Sequence, residues 1–247
     1  REVQVVASGA LASGDTVVVN SDGTVSVVAI SNFSQALGTA VSIKSNGTSI
    51  DNIASAYDIN AQKVVIVYQD PNNSNYGTAV VGTVSGTSIS FGSPVVFESG
   101  ASEWMSIAYE PNAQKMVISF EDRSNGFTKA IVGTVSGTSI SFGTAVVFAA
   151  VISKYTSTVY DPDSQKIVIA YQDDSDSDRG KAVVGTVSGT SISFGSIATF
   201  NTGITNFISA TYDTNADKVV IAYKDGSVRG KAIVGTVSGT SISFGSE

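Results

Sequence analysis

Apolar and polar positions alternate along this chain in short runs, and the runs recur. Ser88–Phe91, Ser139–Phe142, Ser191–Phe194 and Ser241–Phe244 all read Ser-Ile-Ser-Phe, the period-two pattern of a strand with one face in solvent. Upstream of each lies a denser run: Lys63–Tyr68, Lys115–Phe120, Lys166–Tyr171 and Lys218–Tyr223. Their near-continuous apolar residues predict a strand buried on both faces. Between the two lies a third run, Thr78–Val84, Lys129–Val135, Lys181–Val187 and Lys231–Val237. Ahead of all three comes a run rich in Ser, Ala and Thr that ends in Tyr plus an acid: Tyr57-Asp58, Tyr109-Glu110, Tyr160-Asp161 and Tyr212-Asp213. No apolar period of 3.6 persists for two turns, so helices are not expected.

These four runs form a unit, and the unit repeats. GTVSGTSISFG occurs without change from Gly82, Gly133, Gly185 and Gly235, at intervals of 51, 52 and 50 residues. Four short strands per repeat of about fifty residues is the make-up of a β-propeller blade. The expected fold is therefore all-β, a propeller of four-stranded antiparallel blades. Five blades account for the length, with 45–247 as four tandem repeats and 1–44 as a divergent N-terminal β segment that supplies the first blade. The alternative is four blades plus an N-terminal β arm, and a piece of a larger ring is a third arrangement. Within 1–44, Val3–Ala7, Thr16–Val19 and Thr24–Ile30 read as strands, Ser8–Asp15 as a spacer, and Asn20-Ser21-Asp22-Gly23 as a hairpin turn.

Composition narrows the chemistry. The 247 residues carry a net charge of −7, which disfavours nucleic acid and anionic membranes as partners. There is no Cys and no His. Thiolate metal sites, Cys nucleophiles, Ser–His–Asp triads and His-ligated zinc are all excluded. No apolar run is long enough for a transmembrane helix. The chain begins at Arg1 without a signal-peptide pattern and reads as processed, trimmed or partial.

Units of the form ISATYD…DKVVIAYKD…GKAIVGTVSGTSISFG, carried most fully by residues 204–245, resemble repeats in tail-fibre-like and other virion structural proteins of marine phages, cyanophages in particular. Ala7–Leu11 and Val17–Val25 also resemble segments that precede such repeats. Similar repeats fit marine bacterial surface proteins. The resemblance implies a non-enzymatic structural or adhesion module on a virion or extracellular surface. Its partners would be other virion or surface proteins, host cell-surface glycans, and further copies of the chain. It implies no catalytic residues, metal or cofactor.

Candidate sites follow from offsets within the repeat. Five residues before each Tyr–acid pair stand Asn52, Trp104, Tyr155 and Phe207, three of them aromatic. Aromatic faces stack on the apolar faces of sugars, so this rim could hold a glycan; the competing reading makes the rings caps on the core between blades. Asp174, Asp176 and Asp178 alternate as a calcium loop begins, but Arg179 and Gly185 stand where that frame needs Gly and Glu, which favours a solvated acidic loop. The Tyr–acid pairs could suggest glycosidase carboxylates. Because they recur before every turn, their acids are expected to accept turn amides instead. Lys63, Lys115, Lys166 and Lys218 at the start of the second runs, and Lys129, Lys181 and Lys231 at the start of three of the third, read as edge and end charges that keep strands from pairing with other molecules. Two further function readings stand beside adhesion: a lectin-like glycan binder and a carbohydrate-active enzyme.

Overall fold

A computed structural model describes residues 6–7, 9–11, 17–27, 38–43, 50–227 and 229–245. The parts of the N-terminal expectations that fall on residues 3–5, 8, 12–16 and 28–37 lie outside the described residues. The chain divides into two compact units, Arg1–Gly38 and Thr39–Glu247.

The first unit holds a three-stranded sheet of β1 (Val6–Ala7), β2 (Val17–Val19) and β3 (Thr24–Val27) in the order β1-β3-β2. The hairpin forms where the Asp-Gly signal placed it, with Val19 opposite Val25. The Asp22 carboxylate accepts the Thr24 amide at 2.9 Å and its hydroxyl at 2.7 Å, and Gly23 takes φ 81°. This is the local bonding that makes such a pair a turn.

The second unit is all-β, and its described pairings are antiparallel. Repeat 1 comprises β4 (Asp51–Asp58), β5 (Lys63–Asp70), β6 (Tyr76–Ser85) and β7 (Ser88–Phe91). Repeat 2 comprises β8 (Val95–Glu110), β9 (Lys115–Asp122), β10 (Phe127–Ser136) and β11 (Ser139–Phe142). Repeat 3 comprises β12 (Val146–Ala149), β13 (Ser153–Asp161), β14 (Lys166–Asp173), β15 (Arg179–Ser188) and β16 (Ser191–Phe194). Repeat 4 comprises β17 (Ala198–Asp213), β18 (Lys218–Asp225), β19 (Gly230–Ser238) and β20 (Ser241–Phe244).

The repeats are not self-contained sets of four strands. The outer edge of each of the first three is finished by the strand entering the next. In β8, Val95 and Val96 pair with Ala79 and Thr78 of β6, and Ser106–Glu110 then pair with β9. β17 does the same between repeats 3 and 4, and β12 followed by β13 does it in two pieces. The described strands consequently join into open sheets of nine and eight strands, not a closed barrel.

The core lies between consecutive repeats. Alternate residues of the second strands β9 and β14 face opposite neighbours. Met116 and Ile118 of β9 pack with Val65 and Val67 of repeat 1, whereas Val117 packs with Ile167 and Ile169 of repeat 3. Burial on both faces, which the apolar runs of β9 and β14 predicted, follows from this. A Phe from each incoming strand seals the junction. Phe97 lies 5.2 Å from Phe120, Phe148 lies 5.5 Å from Tyr171, and Phe200 lies 5.3 Å from Tyr223.

Two glycines of the invariant motif have separate reasons. Gly86 and its counterparts open a two-residue turn at φ near 60°, where a side chain is strained. Gly92 and Gly143 touch the following repeat, and a Cβ there would lie 1.8 Å and 1.9 Å from the carbonyl oxygens of Thr138 and Thr190.

Candidate functional site

The four residues singled out by their offset occupy one unusual backbone position. Asn52, Trp104, Tyr155 and Phe207 have φ of 52°, 50°, 53° and 52°, the left-handed region. Each sits where the register of the first strand against the second shifts by one residue. Between the pairs Glu103–Glu121 and Ser106–Ser119, for example, Trp104 and Met105 stand opposite Phe120 alone. The same bulge occurs in the other three repeats. Asn tolerates this conformation because its short amide bonds locally. Trp, Tyr and Phe are held there at a cost.

The bulge re-aims the side chains, and the structure brings the three rings together. Trp104 and Tyr155 lie 4.6 Å apart between centroids, inclined by 55°. Tyr155 and Phe207 lie 5.0 Å apart at 47°. The result is one ladder running across repeats 2, 3 and 4. Trp104 and Tyr155 are half-buried, and Tyr155 also packs on the core beneath. Phe207 is 64 % exposed, with the Lys224 ammonium 5.7 Å from its ring centre. Asn52 contributes no ring. Its Oδ1 accepts the Trp104 amide at 3.1 Å, and its Nδ2 donates to Gln69 Oε1 at 3.3 Å.

Side chains tie the first strands of successive repeats where no sheet ladder does. The Thr156 hydroxyl donates to the Trp104 carbonyl. The amides of Thr158 and Ala210 donate to Ser106 Oγ and Ser157 Oγ at 2.9 Å and 2.8 Å. The small Ser, Ala and Thr residues of these strands thus have a definite use.

Charged groups flank the ladder. Arg123 grips both oxygens of Glu103 at 2.9–3.0 Å, and Lys154 pairs with Asp174 at 2.7 Å. Glu121 lies buried among them, its carboxyl pushed up to about 7. Burial is the chief cause, countered by Arg123 and Lys154 and reinforced by Glu103 and Asp174. The expected acidic loop does lie in solvent, with Asp174, Ser175 and Ser177 exposed, and its acids are held in ion pairs. Asp174 takes Lys154, while Asp176 takes Arg179 at 3.1 Å and Lys181 at 2.7 Å. Among the described residues no three acidic side chains gather as metal ligands do.

The lysines depart from expectation in part. Lys63, Lys115, Lys166 and Lys218 do stand at the start of β5, β9, β14 and β18, but Lys129 and Lys181 are not edge charges. Lys129 bonds Asp122 at 2.7 Å and Glu98 at 3.0 Å, and Lys181 bonds Asp173 and Asp176, each at 2.7 Å. Their strands are flanked on both sides, so each ammonium faces the Asp that ends the neighbouring strand. The acids of the Tyr–acid pairs do accept turn amides: Asp58 from Ala61, Glu110 from Asn112 and Ala113, Asp161 from Asp163 and Ser164, and Asp213 from Asn215 and Ala216.

At the other end of the first strands, about 20 Å from Trp104 along β8, a cleft of about 310 Å³ opens between repeats 2 and 3. It is lined by Glu110, Asn112, Gln165, Lys166 and Thr186. Nothing in the sequence pattern marked it. The ladder's positions were visible as an offset; the bulge and the ring contacts were not.

No protein-family model and no curated relative matches the chain. Among solved structures it is similar to AofleA from Arthrobotrys oligospora, crystallised as a variant with three equally spaced arginines changed to alanine. The TM-score is 0.52 at 15 % identity, over 78 % of this chain and 56 % of that one. The chain therefore matches little more than half of that protein's length, and at this identity the likeness extends to the fold alone.

Proposed function

We propose that the four repeats are blades of a β-propeller and that the chain is a non-enzymatic adhesion module, displayed on a virion or cell surface, that binds saccharide along the Trp104–Tyr155–Phe207 ladder. The observation that carries this reading is the backbone beneath the rings. Three bulky aromatics occupy a conformation they disfavour, and the last of them is left in solvent. Strained, bulged positions gather where binding requires a side chain to be re-aimed. Ring faces beside charged and hydrogen-bonding groups suit a pyranose, which has both apolar faces and hydroxyl edges. The recurrent acids support the non-enzymatic side of the proposal, because turn amides already occupy them.

A second reading is favoured by one specific feature. The rings pack against one another at 55° and 47°, as expected of a packing seam in an architectural module docked against partner proteins. A glycan-array screen of the chain beside Trp104→Ala separates the two. Saccharide binding that falls at least tenfold in the variant is the expected result. Absence of binding across a broad array would refute the saccharide reading and leave the architectural one.

A further inference from the structure

The cleft between repeats 2 and 3 keeps polar groups to spare once the fold's own bonds are made. It measures about 310 Å³ and is lined by Glu110 and Asn112 from repeat 2 and by Gln165, Lys166 and Thr186 from repeat 3. That volume is at the lower end of the roughly 300–1,000 Å³ of small-molecule sites. Both walls belong to inner repeats, each packed against a neighbour on either side. The repeat 2 wall is fully engaged. Glu110 is 4 % exposed, and its carboxylate accepts the amides of Asn112 at 3.1 Å and Ala113 at 2.6 Å as well as the hydroxyl of Tyr160. Asn112 Nδ2 donates to that same hydroxyl at 2.9 Å. These bonds clasp repeat 2 to repeat 3 and fix the mouth of the cleft.

The repeat 3 wall is not engaged. Thr186 Oγ1 is buried and, among the described residues, has no hydrogen-bond partner. The Gln165 side-chain amide and the Lys166 ammonium have none there either. The acid that could claim Lys166 is committed elsewhere: Asp161, opposite it in the β13–β14 hairpin, accepts the amides of Asp163 and Ser164. The counterpart in repeat 4 behaves differently. Lys218 folds back on its own turn and donates to the carbonyls of Ala216 and Asp217 at 3.4 Å and 3.0 Å.

We infer that this cleft is a ligand site apart from the aromatic ladder and that it takes a small hydroxy-carboxylate. The Lys166 ammonium meets the carboxylate, and the Gln165 amide and Thr186 hydroxyl meet hydroxyls on the attached carbon chain. An ammonium–carboxylate bond is about twice as strong as a neutral one, which makes the charged end the anchor. A buried hydroxyl without a partner is costly, and a ligand oxygen relieves it. Glu110 offers little opposition, because its charge is drawn onto two amides and a phenol. The rest of the lining, Ala113 and Val187, is too little apolar surface for a hydrophobic ligand. The cleft lies at the opposite end of the first strands from Trp104, so it stands or falls separately from the saccharide reading.

NMR titration of the isotope-labelled chain with sodium D-gluconate tests the inference, with D-sorbitol as a polyol that lacks the carboxylate. The expected result is saturable shifts at the amides of Ala113, Gln165 and Thr186, with a Kd of about 1 mM for gluconate and binding about tenfold weaker or less for sorbitol. Lys166→Met should weaken gluconate by about tenfold or more, and Thr186→Val by about threefold or more, whereas Lys218→Met should not change it. Neither Lys166 nor Thr186 gives the fold a side-chain bond, so both variants should keep the wild-type circular dichroism. Trp104→Ala should bind gluconate as wild type does, which separates a failure here from a failure at the ladder. Absence of shifts overturns the proposal. So do equal affinities for gluconate and sorbitol, a Lys166→Met variant that binds like wild type, or shifts that gather at Trp104 and Tyr155 instead.

Discussion

Replacing Glu121 by Gln should stabilise the protein, and only above a definite pH. Glu121 is 3 % exposed, and its carboxyl is raised from 4.5 to about 7. Its counterpart in repeat 3, Gln172, donates an amide hydrogen to the Thr205 carbonyl of the next repeat at 2.6 Å. A neutral carboxyl can donate in the same way and a carboxylate cannot. Below pH 4.5 the group is protonated whether the chain is folded or not, and it contributes no pH-dependent penalty. Between pH 4.5 and about 7 the unfolded chain releases a proton that the folded chain keeps, so stability falls as pH rises. Above that window the penalty is complete. It accumulates at about 1.4 kcal/mol per pH unit crossed, or about 3 kcal/mol in all. Glu121→Gln should thus match wild type near pH 4 and exceed it by up to about 3 kcal/mol at pH 8, a Tm gain of about 6–12 °C for a chain of this size. Urea unfolding of both proteins from pH 4 to pH 8 measures the difference directly, since titrations common to the two cancel. Parallel stability–pH curves, or a variant weaker at pH 8, would refute the reasoning.

Phe207→Asn places the residue found in repeat 1 at the same left-handed position, so stability should hold or rise by about 1 kcal/mol while saccharide binding falls; a loss above about 2 kcal/mol in chemical unfolding would contradict this. Gly143→Ala drives a Cβ to 1.9 Å from the Thr190 carbonyl oxygen, whereas Gly137→Ala meets nothing within 4 Å and suffers only its φ of 59°. The first should cost several times the roughly 1 kcal/mol of the second, read from paired thermal melts. Asp173→Ala removes the acceptor of Lys181, the Ser175 amide and the Asp176 amide, and should lower stability by about 2–4 kcal/mol in urea titration.

What the sequence disclosed and what it hid divide along sequence distance. The Asp22 hairpin and the turn acids were legible because each bond closes within about three residues, so side-chain chemistry alone fixes it. The second strands were legible because burial on both faces erases alternation. The strand that leaves one repeat and enters the next was not, since Val95–Glu110 includes a Ser-Gly-Ala-Ser stretch that reads as a break. The ion pairs of Lys129 and Lys181 depend on which strand lies beside which, and composition carries no such information. The candidate rim was half legible. A common offset from Tyr109, Tyr160 and Tyr212 aligned the aromatics, but the contact between Trp104 and Tyr155 joins residues from different repeats. The bulge that permits it is a backbone event with no residue of its own.

The energetics of the ladder bear on why it exists. Left-handed φ costs a bulky residue roughly 1–2 kcal/mol, and an aromatic pair gives back roughly 0.5–1.5 kcal/mol beyond its burial. At Trp104 and Tyr155, half-buried and in contact at 4.6 Å, burial offsets the strain and packing alone sustains the residue. At Phe207 it does not. One ring contact at 5.0 Å and a distant Lys224 ammonium offset little, and most of the ring faces solvent. Asn52 demonstrates that a small amide serves the same backbone position, even bonding the next repeat's Trp104 amide. A stability-only account therefore favours Asn over Phe in repeat 4. An open ring kept at a position where Asn would be more stable is what the proposed saccharide site requires.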